Sequence, residues 1–277
     1  MARHWETIGV AAVLLIADAS AARAHDYWIQ PSSFHPNAGD ELGVGLRVGD
    51  GGAGDPARRN AARIEKFVAA GPAGEHPIGG ADGDDPAGHI RLAEPGAYLL
   101  EYRSRPSFIE MKPAEFTAYL KEEGLDGIDA LRQRRGQAGQ PGREVYSRCL
   151  KSVIRVGAGQ LNGLGRTLGC RLEIIPETDP SGPGPQGFRL LFDGKPLSGV
   201  LLKARRPSAR APEVQARTNR DGSVRLALNG PGEWIVTAVH MTAAQGPVEA
   251  FVKAGEPSRT VSADWRSVWA SLTFERP

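Results

Sequence analysis

The sequence carries almost no excess of charge, because 34 Lys and Arg residues stand against 32 Asp and Glu residues, a formal net charge of +2. This balance gives no electrostatic basis for binding nucleic acid or an anionic membrane. Long apolar runs are also scarce. After residue 24 no run approaches the roughly 20 apolar residues that a membrane-spanning helix needs. We therefore expect neither a nucleic-acid-binding protein nor a membrane-spanning one.

Catalytic motifs are likewise missing. The chain has no GxSxG, HExxH or P-loop sequence, and neither of its two cysteines lies beside a plausible base. Acidic pairs such as Glu122-Glu123 and Asp84-Asp85 fall in helix or loop contexts that are typical of a solvated surface. The sequence thus assigns no catalytic and no cofactor-binding residue, and it favours a binding protein over an enzyme.

Glycine and proline are abundant, with 35 and 21 residues respectively, together more than a fifth of the 277 residues. Average proteins contain about 12% of the two combined. This composition favours turn-rich β structure over a helical bundle. The stretch Glu41–Val48 alternates apolar and other residues with a period of two, which predicts a strand. Trp234, Trp265 and Trp269 are expected to pack in the core.

The fold prediction is a mainly β chain with two β-sandwich units, Ig-like or prealbumin-like, at residues 25–178 and 188–277. The proline-rich run Pro176–Gly187 marks the boundary between them. Within the first unit the period changes at about residues 113–136, where Phe116, Tyr119 and Leu120 have helical spacing behind Pro113. We expect a short helical insertion there, with the arginines at its end exposed to solvent.

Residues 1–24 have the pattern of a secretory signal peptide. Gly9–Ile16 is apolar, and Ala22-Arg23-Ala24 supplies the small residues of a cleavage site. Cleavage after Ala24 would export the protein, to the periplasm in a bacterium, with His25 as its first residue.

Cys149 and Cys170 both lie in the predicted exported part, where a disulfide is permitted. They flank a strand-like segment and a Gly/Asn-rich turn at residues 157–165, so a hairpin could bring them opposite each other. The alternative is a pair of buried free thiols. A metal site of these two cysteines alone lacks further ligands nearby.

The predicted new N-terminus offers metal-binding chemistry, because His25 would carry a free α-amine beside its imidazole. Nitrogen donors of this kind suit Cu(II) and Ni(II), and an α-amine with a pKa of about 7.7–8.0 loses its proton readily. Tyr27 stands at the third position, where the familiar square-planar terminal motif needs histidine. Further ligands must therefore come from elsewhere in the fold.

Candidates for these further ligands are the carboxylate of Asp26 and the histidines His35, His76, His89 and His240. We prefer His240, since it ends a predicted strand and can face a cleft. The predicted metal ligands are His25, His240 and Asp26. In the alternative interpretation His25 is a frayed terminal residue and Asp26 its solvated neighbour.

Several segments together resemble the DUF4198 family, and they span most of the predicted mature chain. They are residues 25–32 (HDYWIQPS), 146–151 (YSRCLK), 172–176 (LEIIP), 194–199 (GKPLSG) and 265–274 (WRSVWASLTF). His25 and the His240 of Val239-His240-Met241 lie in recognisable family segments, whereas His35 falls where we do not expect the family to require histidine. Related domains accompany nickel and cobalt uptake systems, so the resemblance implies periplasmic metal handling. The second unit also resembles prealbumin-like or Cna-B-type sandwiches.

The leading hypothesis is a periplasmic, non-enzymatic protein that binds Ni(II), Co(II) or Cu(II) for uptake or sequestration, with a membrane metal transporter as its partner. One alternative is a copper-dependent oxidase or oxygenase that uses a terminal histidine brace. Another is a metal-free cell-envelope module that binds or assembles with other molecules.

Overall fold

A computed structural model describes residues 26–49, 52–159, 162–207 and 212–277. The predicted signal peptide and His25 lie outside the described residues. The described residues form 19 β-strands and two α-helices. This architecture confirms the prediction of a mainly β chain with a short helical insertion.

The strands and helices follow one another along the chain with short connections. The first eight strands are β1 (Tyr27–Pro31), β2 (Glu41–Val48), β3 (Asp55–Pro56), β4 (Ile64–Gly71), β5 (Gly74–Pro77), β6 (Gly88–Arg91), β7 (Gly96–Ser104) and β8 (Ser107–Met111). The helices are α1 (Pro113–Glu122) and α2 (Asp126–Arg134). The remaining strands are β9 (Gly142–Val156), β10 (Leu172–Pro176), β11 (Gln186–Phe192), β12 (Lys195–Pro196), β13 (Leu201–Arg205), β14 (Val214–Arg217), β15 (Ser223–Leu226), β16 (Gly232–Ala243), β17 (Val248–Ala250), β18 (Arg259–Val261) and β19 (Trp265–Arg276).

The largest element is a nine-stranded sheet in the order β14-β13-β16-β19-β9-β7-β4-β5, with β8 also paired to β9. Strands β19 and β9 are parallel, with Trp265 to Thr273 opposite Glu144 to Ser152, and the other pairs are antiparallel. The proline-rich run at residues 176–187 connects β10 to β11, which pair with each other. Strands from both predicted units therefore share one sheet, and their division into two folding units stays a prediction.

Both faces of this sheet are covered. The first face packs against a smaller sheet of β10, β11, β12 and β15, and the second face packs against β1, β2, β3 and β6. Alternation along β7 illustrates the division, because Ala97 and Leu99 belong to the first core while Tyr98 and Leu100 belong to the second. The two sandwiches thus lie on opposite faces of one shared sheet.

The helical insertion covers the part of the second face that the β1–β2 sheet leaves open. Phe116, Tyr119 and Leu120 are buried, as their helical spacing predicts, and they pack with Trp265 and Trp269 of β19. The Tyr119 and Trp269 rings stack with centroids 5.7 Å apart. Both tryptophans are core residues, as expected.

Close approach of α1 to the sheet depends on Gly142 at the start of β9. A Cβ atom at this position would lie 2.1 Å from Cγ of the Phe116 ring. Arg132 also contacts this ring, with its guanidinium carbon 4.7 Å from the ring centroid. Its Nη2 donates to the Gln140 carbonyl at 2.8 Å. Arg132 is only 1% exposed. The expectation that the arginines ending α2 face solvent is therefore wrong for Arg132.

The structure contains a Cys149–Cys170 disulfide, one of the two alternatives that the sequence left open, with the two Cα atoms 6.0 Å apart. Its context differs from the expected hairpin. Cys149 lies in β9 of the nine-stranded sheet, whereas Cys170 precedes β10, which pairs with β11 in the smaller sheet. The bridge therefore links two facing sheets, and it does so on the first face.

We expect Gly142→Ala to destabilise the fold by about 1–3 kcal/mol, because the new methyl group forces the Phe116 ring and α1 away from the sheet. Gly127→Ala is the matched control, since a Cβ at Gly127 in α2 meets nothing within 4 Å. That change should raise stability by roughly 0.5–1 kcal/mol. Urea unfolding measures both. Equal midpoints for Gly142→Ala and the wild type would contradict the close contact.

Candidate metal site and its charge cluster

Asp26 is the first described residue, and it is firmly held. Arg205 Nε donates to Asp26 Oδ2 at 3.1 Å, and the Gly49 backbone N–H donates to the Asp26 carbonyl at 3.0 Å. The Arg205 guanidinium also lies over the Trp28 ring, 4.9 Å from its centroid. Asp26 is only 8% exposed. The start of β1 is therefore fixed to the nine-stranded sheet by a buried ion pair.

A second buried ion pair lies close to Asp26. Lys203 Nζ donates to Glu123 Oε1 at 2.7 Å, and both side chains are buried. Burial raises the pKa of Glu123 to about 7 against the lowering influence of Lys203, and the Asp26 carboxylate raises it further. For Lys203, burial alone would lower the pKa, but Glu123 and Asp26 raise it above its ordinary value. The four residues form one electrostatic group, which we call the N-terminal charge cluster: Asp26, Glu123, Lys203 and Arg205.

Strand β13 carries the two cations of this cluster, which sequence reasoning missed. In β13, Leu202 and Ala204 point into the first core, while Lys203 and Arg205 alternate with them and are also buried. Charged side chains that alternate with apolar ones are the ordinary pattern of a strand with one solvent-facing side, so the sequence does not indicate that Lys203 and Arg205 are buried against acidic partners. The identity of those partners required the fold, since Asp26 and Glu123 are distant in sequence from both.

His240 lies outside the N-terminal charge cluster, beside an aromatic ring. Its ring packs against Phe192, with centroids 4.5 Å apart. Burial lowers the pKa of His240, and nearby Arg171 lowers it further, whereas Asp193 opposes this shift. A lowered pKa leaves the imidazole neutral at pH 7.

Strand alternation separates His240 from Asp26. Arg205, the partner of Asp26, pairs with Ile235 of β16 and faces the second side of the sheet. His240 has the same parity as Val236 and Ala238, which point into the first core. The structure therefore does not bring together Asp26 and His240. His25, the third predicted ligand, lies outside the described residues.

The other histidines are dispersed. His35 Nε2 lies 3.3 Å from Glu275, and His89 Nδ1 lies 3.8 Å from Glu41, both at exposed positions. His76 lies on the edge strand β5. Within residues 26–49, 52–159, 162–207 and 212–277, no cluster of three close metal-donor side chains includes Asp26 or a histidine. A metal held near Asp26 would therefore need at least one donor from outside this described set.

A polar cleft of about 570 Å³ opens at the other end of β1, and sequence reasoning missed it. Glu233 and Glu275 line it as direct cross-strand neighbours. Burial raises the pKa of Glu233, and the Glu275 carboxylate adds to this shift, while Gln30 donates to Glu233 at 3.1 Å and opposes it. Arg47 lines the same cleft. The cleft is suited to polar ligands rather than apolar ones.

Another buried carboxyl, that of Glu144, lies beneath α1. Its Oε1 accepts hydrogen bonds from the hydroxyls of Tyr119, at 3.3 Å, and Ser267. Among the described residues its Oε2 has no hydrogen-bond partner. Burial raises the pKa of Glu144 to about 7, although the Ser267 and Tyr119 hydroxyls favour the ionised form.

This raised pKa makes stability depend on pH. The unfolded chain has an ordinary glutamate pKa, so between about pH 5 and 7 the folded state binds more protons and stability falls as pH rises. Glu144 alone contributes a loss on the order of 3 kcal/mol, which is complete above pH 7. Glu144→Gln should reduce the slope, with the contribution of Glu123 remaining, whereas Glu65→Gln at an exposed position of β4 should leave the slope unchanged. Urea midpoints between pH 5 and 8 measure the slopes, and parallel slopes for wild type and Glu144→Gln would refute the assignment.

Comparisons with known proteins place the chain in a family but add little beyond that. None of the described helices is long and apolar enough to cross a membrane. A search of curated proteins finds no match. A solved structure, the D0-D1 domain of Intimin, is similar at 10% identity, over 90% of this chain and 97% of that one, with a TM-score of 0.21. The model of a domain of unknown function, DUF4198, matches residues 22–242, and the chain belongs to this family.

Proposed function

We propose that this DUF4198 protein is an exported, non-enzymatic metal-binding protein whose processed N-terminus, His25, binds Ni(II), Co(II) or Cu(II). The observation that carries the proposal is the fixed position of Asp26. A chain cleaved after Ala24 begins at His25, directly before Asp26, which is 8% exposed and ion-paired to Arg205. A rigid attachment point supports a defined site and argues against a frayed terminal segment.

The α-amine and imidazole of His25 supply two nitrogen donors, the type that Cu(II) and Ni(II) prefer. The N-terminal charge cluster supplies carboxylates near the same point. Its ion pairs engage Oδ2 of Asp26 and Oε1 of Glu123, and we assign the other oxygen of each carboxylate to the metal. Glu123 also lines a cleft of about 180 Å³ that is open to solvent. His240 has no part in this ligand set, because it faces the opposite side of the sheet.

The biological role that we propose is metal uptake or sequestration in the periplasm, with a membrane metal transporter as the recipient. The chain's near-neutral net charge of +2 is compatible with transient contact rather than strong electrostatic capture. Processing after Ala24 is a requirement of the proposal, and intact-mass measurement of the exported protein checks it.

The test compares three forms: a chain beginning at His25, one with Gly-Ser added before His25, and His240→Ala. The extension converts the amine into an amide, a far poorer ligand at neutral pH. Removing a group that hydrogen-bonds to a metal ligand already lowers metal affinity 10–100-fold. Loss of a ligand itself should therefore make the extended form bind Ni(II) and Cu(II) at least tenfold more weakly. Calorimetric titration at pH 7.5 measures this. His240→Ala, the matched control, should bind as the wild type does.

Two results would overturn this proposal. Equal affinity of the native and extended forms would move the site away from the terminus. Negligible binding by all three forms would favour a metal-free envelope module.

A further inference from the structure

A second group of metal donors lies on the first face, remote from the N-terminal charge cluster. The Glu101 carboxylate and the sulfurs of Cys149 and Cys170 all lie within 4.8 Å of one another. Cys170 Sγ is 3.5 Å from Glu101 Oε1. Glu101 is 0% exposed and each cysteine 4%. Strand pairing creates the group, because Cys149 of β9 lies opposite Arg103 of β7, two residues from Glu101 on the same face.

Two cations contact the Glu101 carboxylate. Arg103 Nε donates to Oε1, and Lys66 Nζ lies 3.2 Å from Oε2. Even so, Oε2 accepts no hydrogen bond from the described part of the chain, although it is completely buried. The Lys66 ammonium compensates the charge of this buried oxygen. The carboxylate oxygen nearest a sulfur is Oε1, which lies 3.5 Å from Cys170 Sγ.

Charges around the disulfide are balanced. The cations are Lys66, Arg103 and Lys151, and the carboxylates are Glu75, Glu101 and Glu173. Buried groups tolerate little uncompensated charge. If the bridge were reduced and two thiols then bound a divalent cation, the loss of two protons would match the two added positive charges. The net charge of the buried region would stay unchanged.

The segment that carries Cys170 can adapt to this change. Residues 162–171 form neither a helix nor a strand. They are held by the same charged group, since the Leu168 and Gly169 backbone N–H groups donate to Glu173 at 2.7 and 3.2 Å. Opening the bridge therefore frees a loop at one end without breaking a strand pair.

We propose that Glu101, Cys149 and Cys170 form a redox-gated site that binds a thiophilic divalent cation, Zn(II), when the disulfide is reduced. In reduction, the S–S bond accepts two electrons and two protons from a dithiol protein, whose own thiols become a disulfide. Zn(II) then displaces both thiol protons and takes two thiolates and one carboxylate. Thiolate ligands select Zn(II) over hard cations such as Mg(II).

The experiment uses the protein with Gly-Ser added before His25, so that the proposed terminal site is disabled and the two proposals fail independently. Its disulfide is reduced with a phosphine, and Co(II) is titrated anaerobically as a spectroscopic substitute for Zn(II). We expect one ion per reduced chain with thiolate-to-cobalt charge-transfer absorption, displaced by Zn(II). The oxidised protein should show neither. Near-UV circular dichroism reports whether the fold persists.

Variants separate the ligands from their surroundings. Cys170→Ser should abolish the charge-transfer band, and Glu101→Gln should weaken binding at least tenfold. Glu65→Gln is the matched control, since Glu65 is exposed on β4 and outside this charged group, and it should bind as the parent does. Because variants of buried residues can misfold, Zn(II) protection of the parent's thiols from alkylation is measured as well.

Absence of binding by the reduced, folded parent would overturn the proposal, as would equal affinity in Glu101→Gln. A parent that unfolds on reduction and is not restored by Zn(II) would overturn it too.

Discussion

The two-residue repeat of the β-strand governs this structure, because the nine-stranded sheet is covered on both faces. Neighbouring residues such as Leu99 and Leu100 enter different cores. The same alternation acts on polar residues, so a charged side chain in the middle of this sheet meets protein, not water, whichever way it points. Each such residue therefore needs a partner on the element that covers its face.

In the described part of the chain three buried ion pairs meet this need, and each joins the nine-stranded sheet to a different covering element. Lys151 pairs with Glu173 of β10, Lys203 pairs with Glu123 just after α1, and Arg205 pairs with Asp26 just before β1. Buried pairs of this kind add little net stability, because desolvation offsets their attraction. Breaking one, however, leaves an unpaired buried charge. We interpret the three pairs as restraints on register and docking, since a shifted strand would leave all of its charges unpaired.

Local patterns predicted the local structure well. Alternation marked β2 at its observed bounds, Glu41–Val48, and helical spacing behind Pro113 located α1. The sequence left a disulfide and two free thiols as alternatives for the cysteines; the bridge forms, but not in the expected hairpin. The predictions that were wrong depended on pairing between segments that are distant in sequence. Residues 234–239 of β16 are all buried because both faces of the sheet are covered, so no alternation showed the face on which His240 lies.

The shared sheet also decides which metal donors can act together. A set of metal ligands that includes Asp26 is limited to the second face of the sheet, where Glu123 is the nearby carboxylate. His240 belongs to the first face with Phe192 and Asp193. Since backbone and side chains of a buried sheet separate the two faces, no ion can bind donors from both without breaking strand pairs. Sequence proximity and residue type nominate candidate ligands, but the parity of each residue in its strand determines which of them can share an ion.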